Sequence, residues 1–183
     1  MDRTGFTRLA RRLAAAGAAV GCGLPVAGCG VFGSGITITA PSPMTVGSGA
    51  FEQGIMPQRF TCANPKALNP PLNWAGAPPG TKSIALESSI TPYVYWIVFD
   101  IKPATSDIQE GTLPPGARQA QNSAGRASYD PPCPGPNGHS YRFTVYALNS
   151  VLNLPTGTSL QSAWMAIAAA TIGRGRIPAS ATS

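Results

Sequence analysis

Few side chains in this sequence could carry chemistry. His139 is the single histidine, and Tyr141 follows it by two residues. On an extended strand, residues two apart share a face. An imidazole and a phenol at that spacing therefore converge, and both donate hydrogen bonds to the oxygens of an anion. Ser140 lies between them and points the other way, so no Ser-His dyad is set, and no third member or oxyanion motif accompanies it. The seven acidic residues include no pair at a readable acid–base spacing. Of the four cysteines, Cys22 and Cys29 fall in the N-terminal segment that reads as an export signal and its lipidation site. Cys62 and Cys133 with His139, and no CxxC motif, do not make a convincing structural zinc site. These residues point to binding rather than catalysis, with no metal or cofactor.

The elements that must position them read as mostly strand. Tyr141–Leu148 (YRFTVYAL) alternates, with Phe143, Val145 and Ala147 on one face. Tyr93–Ile101 (YVYWIVFDI) is a near-continuous β-branched and aromatic run, expected as a central strand buried on both faces. Ile36–Ala40 and Ser83–Ser88 read as further strands, the first broken by Pro41 and Pro43. Ser159–Ile172 has helical spacing at Leu160, Trp164, Ile167 and Thr171, with Ser159 as N-cap and Gly173 as stop. Residues 102–138 form a long Pro-, Gly- and Asn-rich loop, of the kind that is functional or braced.

The N-terminus has a separate job. Arg3, Arg8, Arg11 and Arg12 precede an apolar, small-residue run from Leu13 to Gly28, the order of an export signal. That run is too short and too rich in Gly and Ala for a good membrane span. It ends in Val26-Ala27-Gly28-Cys29, which resembles the bacterial lipobox: small residues before the cut, and a thiol after it that takes a diacylglyceryl group. The alternatives are an ordinary secretory signal with an incidental cysteine, and a poorer box at Cys22. Arg11-Arg12 leaves twin-arginine export open beside the general route. The expected organisation is a signal over 1–28, a lipidated tether over 29–35, a domain over 36–173 and a flexible tail over 174–183. The protein then sits on the cell membrane, facing away from the cytoplasm. Cys62 and Cys133 remain as an even pair in an oxidising compartment and are expected to form a disulfide.

Half of the formal +6 net charge lies in the first twelve residues. The nine basic residues beyond them are scattered, with no basic stripe or interleaved aromatics, which argues against nucleic-acid binding. Twenty-one Gly and nineteen Pro favour a loop-rich β domain.

From Phe51 to Ile172 the chain is similar to the phosphatidylethanolamine-binding proteins, in their bacterial Raf-kinase-inhibitor-like branch. The markers stand in order: Phe60-Thr61-Cys62, Asn69-Pro70-Pro71-Leu72-Asn73-Trp74, Pro79 to Leu86, Tyr95 to Ile101, Asn122 to Arg126, Tyr129 to Pro134 and Gly138 to Leu148. The resemblance implies an antiparallel β-sandwich with small peripheral helices and a C-terminal helix. It also implies a pocket at one end for anions such as phosphorylated head groups. His139, Tyr141 and the loop with Pro132 match that pocket, and Trp96 follows the position where the family has a histidine. Here that position is Tyr95. The family's Asp-bearing stretch is replaced by the shorter Glu87–Pro92, in which Glu87 reads as a solvated strand-end charge, and Ser123 stands where the family often has Asp. The expected pocket is therefore altered: His139, Tyr141, Pro132, Trp96 and Tyr95 around a small anion or head group. The expected function is that of a lipid-anchored, non-catalytic binding protein. The alternatives are a ligand-silent interaction or inhibitor protein acting through its surface, and a weak hydrolase.

The anchor is directly testable. Replacing Cys29 by Ser should release the protein from membranes or leave it uncleaved, read by fractionation and mass spectrometry. A correctly cleaved variant that stays with the membrane would contradict lipidation at Cys29.

Overall fold

The computed structural model describes residues 39–182. The signal, the tether and Cys29 lie outside the described residues, as do the first three residues of the expected strand at Ile36–Ala40. Thr39 and Ala40 are not in a strand. The described chain begins its β structure with β1 (Ser42–Pro43) and β2 (Thr45–Gly47), followed by a 3-10 turn at Gln58–Phe60. Strands β3 (Leu72–Ala75), β4 (Ser83–Ile90), β5 (Tyr93–Ile101), β6 (Asp107–Ile108), β7 (Arg118–Gln119) and β8 (His139–Leu148) come next. Helix α1 (Leu160–Ala170) and β9 (Thr171–Ala181) close the domain. The result is the expected mainly β architecture with a C-terminal helix.

The strands form two sheets. The larger runs β1-β9-β8-β4-β5-β7 and the smaller β2-β3-β6. Pairing is antiparallel except for β1, which lies parallel to β9. Pro43 thus sits in an edge strand instead of ending one, a position where its missing N–H costs no internal ladder bond. β5 is covered on both faces as expected, but only the two-residue β7 lies beyond it, so β8 and β4 are the central long strands.

Period-two alternation sorts the side chains into two cores. Between the sheets, Leu72, Trp74, Ile84, Leu86, Trp96, Val98, Tyr141, Phe143 and Val145 pack together. On the other face of the large sheet, Ala85, Ile97, Phe99, Tyr146 and Leu148 meet Ala163, Ile167 and Ala170 of α1. The helix starts where Ser159 Oγ accepts the Ser162 amide at 3.2 Å, satisfying one of the free N–H groups of the first turn.

The tail expected to be flexible is instead a full strand. β9 pairs with β8 from Leu148↔Thr171 to His139↔Ala181. Its inward positions are mostly small: Gly173, Gly175, Ala179 and Ala181 are buried, while Arg174, Arg176, Pro178 and Ser180 face out. Gly173 does not cap the helix; the chain turns extended at Thr171. Gly175 is needed for contact, because a Cβ there would lie 2.5 Å from the Met44 carbonyl oxygen.

Cys62 and Cys133 form a disulfide, with Cα atoms 5.1 Å apart. It fastens the 102–138 connection to the segment after the 3-10 turn. Closing a loop of 71 residues constrains the unfolded chain by about 4 kcal/mol in the chain-entropy model. Urea unfolding of a Cys62→Ser, Cys133→Ser double variant should therefore show a stability loss approaching that size. An unchanged midpoint would mean that the bridge adds nothing to the loop's other bracing.

Candidate functional site

The pair His139 and Tyr141 opens β8, and Gly138, at φ 68°, makes the turn that leads into it. His139 is exposed and Tyr141 is wholly buried. They share a face, with ring centroids 6.3 Å apart. Gly135 passes so near the imidazole that a Cβ there would sit 3.6 Å from Nε2. The Tyr141 ring meets Tyr95 edge-on at 5.5 Å, and Tyr95 meets Tyr93 at 4.6 Å. Tyr95 reaches this cluster because of a register shift: Ser88 pairs with Trp96 and Ser89 with Val94, leaving Tyr95 as the extra residue. Both Tyr95 and Trp96 consequently turn toward the core between the sheets.

The Pro-rich loop is tied to the same place. The Asp130 amide donates to the Tyr95 carbonyl at 3.0 Å, and the Cys62 amide to the Pro132 carbonyl at 3.1 Å. The Tyr129 hydroxyl donates to the Phe60 carbonyl at 2.9 Å. Asp130 accepts from the Tyr93 hydroxyl at 2.7 Å and is paired with Arg126. Asn122 braces the loop, with its amide on the Tyr95 and Ser128 carbonyls and its oxygen accepting from Ala124 and Arg126. Ser123, at the position where an acid was noted, accepts the Val94 amide at 2.9 Å and serves as a strut.

His139, Tyr141 and Tyr95 therefore stand together; Pro132 is buried in the loop that Asp130 ties to Tyr95 and the disulfide closes. Trp96 does not point at a rim. Its indole N–H donates to Gln119 Oε1 at 2.6 Å and its ring meets Tyr129 edge-on at 5.7 Å. Three surface cavities, of about 600, 480 and 230 Å³, are lined by other residues. Tyr93, Tyr129 and Asp130 were not singled out from the sequence. Tyr93-x-Tyr95 at strand spacing, and the Tyr-Asp that opens the Pro-rich loop, were the available signals. Glu87, read as a solvated strand end, is 5% exposed. It accepts from the Tyr146 hydroxyl at 2.7 Å on the helix-covered side of β4, across the sheet from Tyr141.

The most telling atom is the Tyr141 hydroxyl. It is buried without a well-formed hydrogen bond, the Tyr95 phenol being the neighbour within reach, and such an atom asks for a reason in a folded protein. Burial, with the Tyr95 phenol beside it, pushes its pKa up to about 12. Tyr93 is raised by its hydrogen bond to Asp130 and then by burial, Tyr95 by burial and Asp130, and Tyr129 strongly by burial. At neutral pH the cluster offers un-ionised phenols, which donate hydrogen bonds but carry no positive charge.

Residues 47–181 match the family model described as phosphatidylethanolamine-binding protein. A protein of Mycobacterium tuberculosis named as a candidate lipoprotein, LppC, is 37% identical over 146 residues, covering 75% of this chain and 72% of its own length. A UPF0098 protein of Methanothermobacter thermautotrophicus is 32% identical over 136 residues, 69% of this chain and 89% of that one. A solved structure from Chlamydia trachomatis, described as a candidate homologue of phosphatidylethanolamine-binding proteins, superposes with a TM-score of 0.68. It is 29% identical and covers 76% of this chain and 97% of its own.

The phenol cluster makes the protein alkali-sensitive in a defined direction. A tyrosine whose folded pKa is raised contributes stability that is fully present below the unfolded value of 10 and is lost as pH rises through the folded value. Between pH 10 and about 12 the native fold should weaken. Ultraviolet titration should show the phenolate band rising later in native than in denatured protein, and Tyr141→Phe should remove part of that delayed rise. Coincident titration curves would contradict the buried cluster.

Proposed function

We propose that this chain, which belongs to the phosphatidylethanolamine-binding protein family, is a non-catalytic binding protein held on the outer side of the cell membrane by lipid on Cys29. Its family pocket is altered rather than lost. The observation that carries the reading is the buried Tyr141 hydroxyl, which makes no well-formed hydrogen bond, on the same face as His139 and edge-on to Tyr95. Three donors, one imidazole and two phenols, suit the oxygens of a small anion. The similarity to LppC supports the lipid anchor.

The same chemistry gives the site a low expected affinity for a phosphate head group. The nearest carboxylate, Asp130, is matched by Arg126, so the cluster is close to electrically neutral. A phosphate there gains hydrogen bonds to un-ionised phenols and finds no free guanidinium. Each missing charge-assisted bond is worth roughly 1.5–3 kcal/mol, or about ten- to a hundredfold in affinity.

Titration calorimetry with phosphate, acetate and phosphoethanolamine tests this. Phosphoethanolamine should bind weakly or not at all, and any residual anion binding should disappear in His139→Ala and in Tyr141→Phe. Tight phosphoethanolamine binding that survives His139→Ala would place the ligand elsewhere. No heat with any of the three would favour the surface-acting, ligand-silent reading.

A further inference from the structure

The large sheet has a second chemical face. Three strands set polar residues side by side on its outer face, beside the helix. Glu87 of β4 lies opposite Thr144 of β8, and Thr144 lies opposite Arg176 of β9. One step along, Ser89 is opposite Arg142; one step the other way, Tyr146 is opposite Arg174. Neighbouring strands are about 4.8 Å apart, and same-face residues along a strand are about 7 Å apart. The grid is thus only a small molecule across.

This face is concave. A cavity of about 600 Å³ sits over it, walled by Trp164 and Ala168 of α1 on one side and by Thr91, Pro92 and Tyr93 on another. That volume suits a ligand of sugar-phosphate size. The floor separates this face from an ordinary solvated one. Glu87 is 5% exposed, Ser89 5%, Thr144 1% and Tyr146 6%. Carboxylates and hydroxyls are seldom buried together without partners to satisfy them. The rim holds the opposite charge: Arg142, Arg174 and Arg176 all line the cavity. Arg176 Nε reaches Thr144 Oγ1 at 3.4 Å, and Arg142 donates to Thr91 Oγ1. None of the three is ion-paired with a carboxylate among the described residues.

We propose that this groove is a second ligand site, on the opposite face of the sheet from Tyr141, and that it takes a phosphorylated polyol. Three guanidiniums against one carboxylate leave a formal +2, which a phosphomonoester dianion neutralises. Guanidinium groups present planar pairs of donors that fit phosphate oxygens. The buried Glu87 is an acceptor that a phosphate would repel, so it selects a ligand whose remaining part carries hydroxyl donors. Ser89 and Thr144 extend the same contact. The Trp164 ring, edge-on to Tyr146 at 6.0 Å, supplies an apolar wall for the carbon face of such a ring or chain. The phosphorylated polyol is either a free metabolite or the head group of a lipid.

The test uses the full chain in detergent, with calorimetry against inositol monophosphate, inositol and inorganic phosphate. Inositol monophosphate should bind more tightly than inorganic phosphate, and neutral inositol should not bind. The exposed pair Arg174→Gln, Arg176→Gln should weaken inositol monophosphate by at least about tenfold, with an unchanged melting temperature. Glu87→Gln should erase the preference for inositol monophosphate over inorganic phosphate. Full chain in phosphatidylcholine vesicles, with and without phosphatidylinositol phosphate, separates the sources. Loss of soluble-probe binding in the second vesicles assigns a lipid head group, and unchanged binding assigns a free ligand. Absence of inositol monophosphate binding at millimolar concentration would overturn the proposal. So would binding that the arginine pair leaves untouched, or binding lost in Tyr141→Phe but kept in the arginine variant.

Discussion

Strand β8 is the element on which the rest depends. It is hydrogen bonded to β4 on one side and to β9 on the other, in a register that runs nearly its whole length. Because side chains alternate across a strand, fixing that register fixes two surfaces at once. Tyr141, Phe143, Val145 and Ala147 enter the core between the sheets. Arg142, Thr144 and Tyr146 face the opposite way, where the first two line the groove and Tyr146 joins the floor beside the helix. A slip of one residue would exchange the two sets and bury Arg142 where Tyr141 now lies. The apolar cost of that exchange holds both surfaces in place.

The two surfaces differ in chemistry because they differ in depth. The inner end of β8 meets Tyr95, whose turn toward the core follows from one extra residue opposite β4. Its loop partners are held by the disulfide and by the Asp130 and Cys62 amides. Burial there keeps phenols neutral. The outer face is bounded by α1, which covers Leu148 and part of Tyr146 but stops short of Arg142 and Arg176. Charges survive on that face because water still reaches their tips, while the carboxylate and hydroxyls beneath them are buried. One strand therefore joins a cluster of neutral donors to a cationic groove, and neither needs the other for its charge state.

How much of this was legible in the sequence depends on side-chain size and on sequence distance. β5 and β8 could be read because Val, Ile, Trp, Phe and Tyr crowd them; Tyr93–Ile101 is matched at both ends. The helix and its Ser159 cap were readable from spacing and side-chain chemistry. β9 was not, because its inward residues are largely Gly and Ala, which bury well without looking apolar. The alternation of Arg174 and Arg176 with glycines was the missed sign. Glu87 looked like a solvated charge because its hydrogen-bond partner, Tyr146, is 59 residues away. The arginine groove depends on the order in which β4, β8 and β9 are placed side by side, which periodicity within any one segment does not report. Ser123 was readable only as a substitution; its role as a strut depends on where Val94 lies.

The central claim is that the two faces of β8 form separate sites, and the five tyrosines can report on it individually. Isotope-labelled tyrosine, followed by nuclear magnetic resonance while inositol monophosphate is added, reads both faces in one experiment. The account predicts that the Tyr146 signal moves, because its hydroxyl is bonded to Glu87 on the groove floor, while the Tyr141 signal stays in place. Movement of Tyr141 alone, or of Tyr141 and Tyr146 together in proportion, would contradict two sites set back to back on one strand.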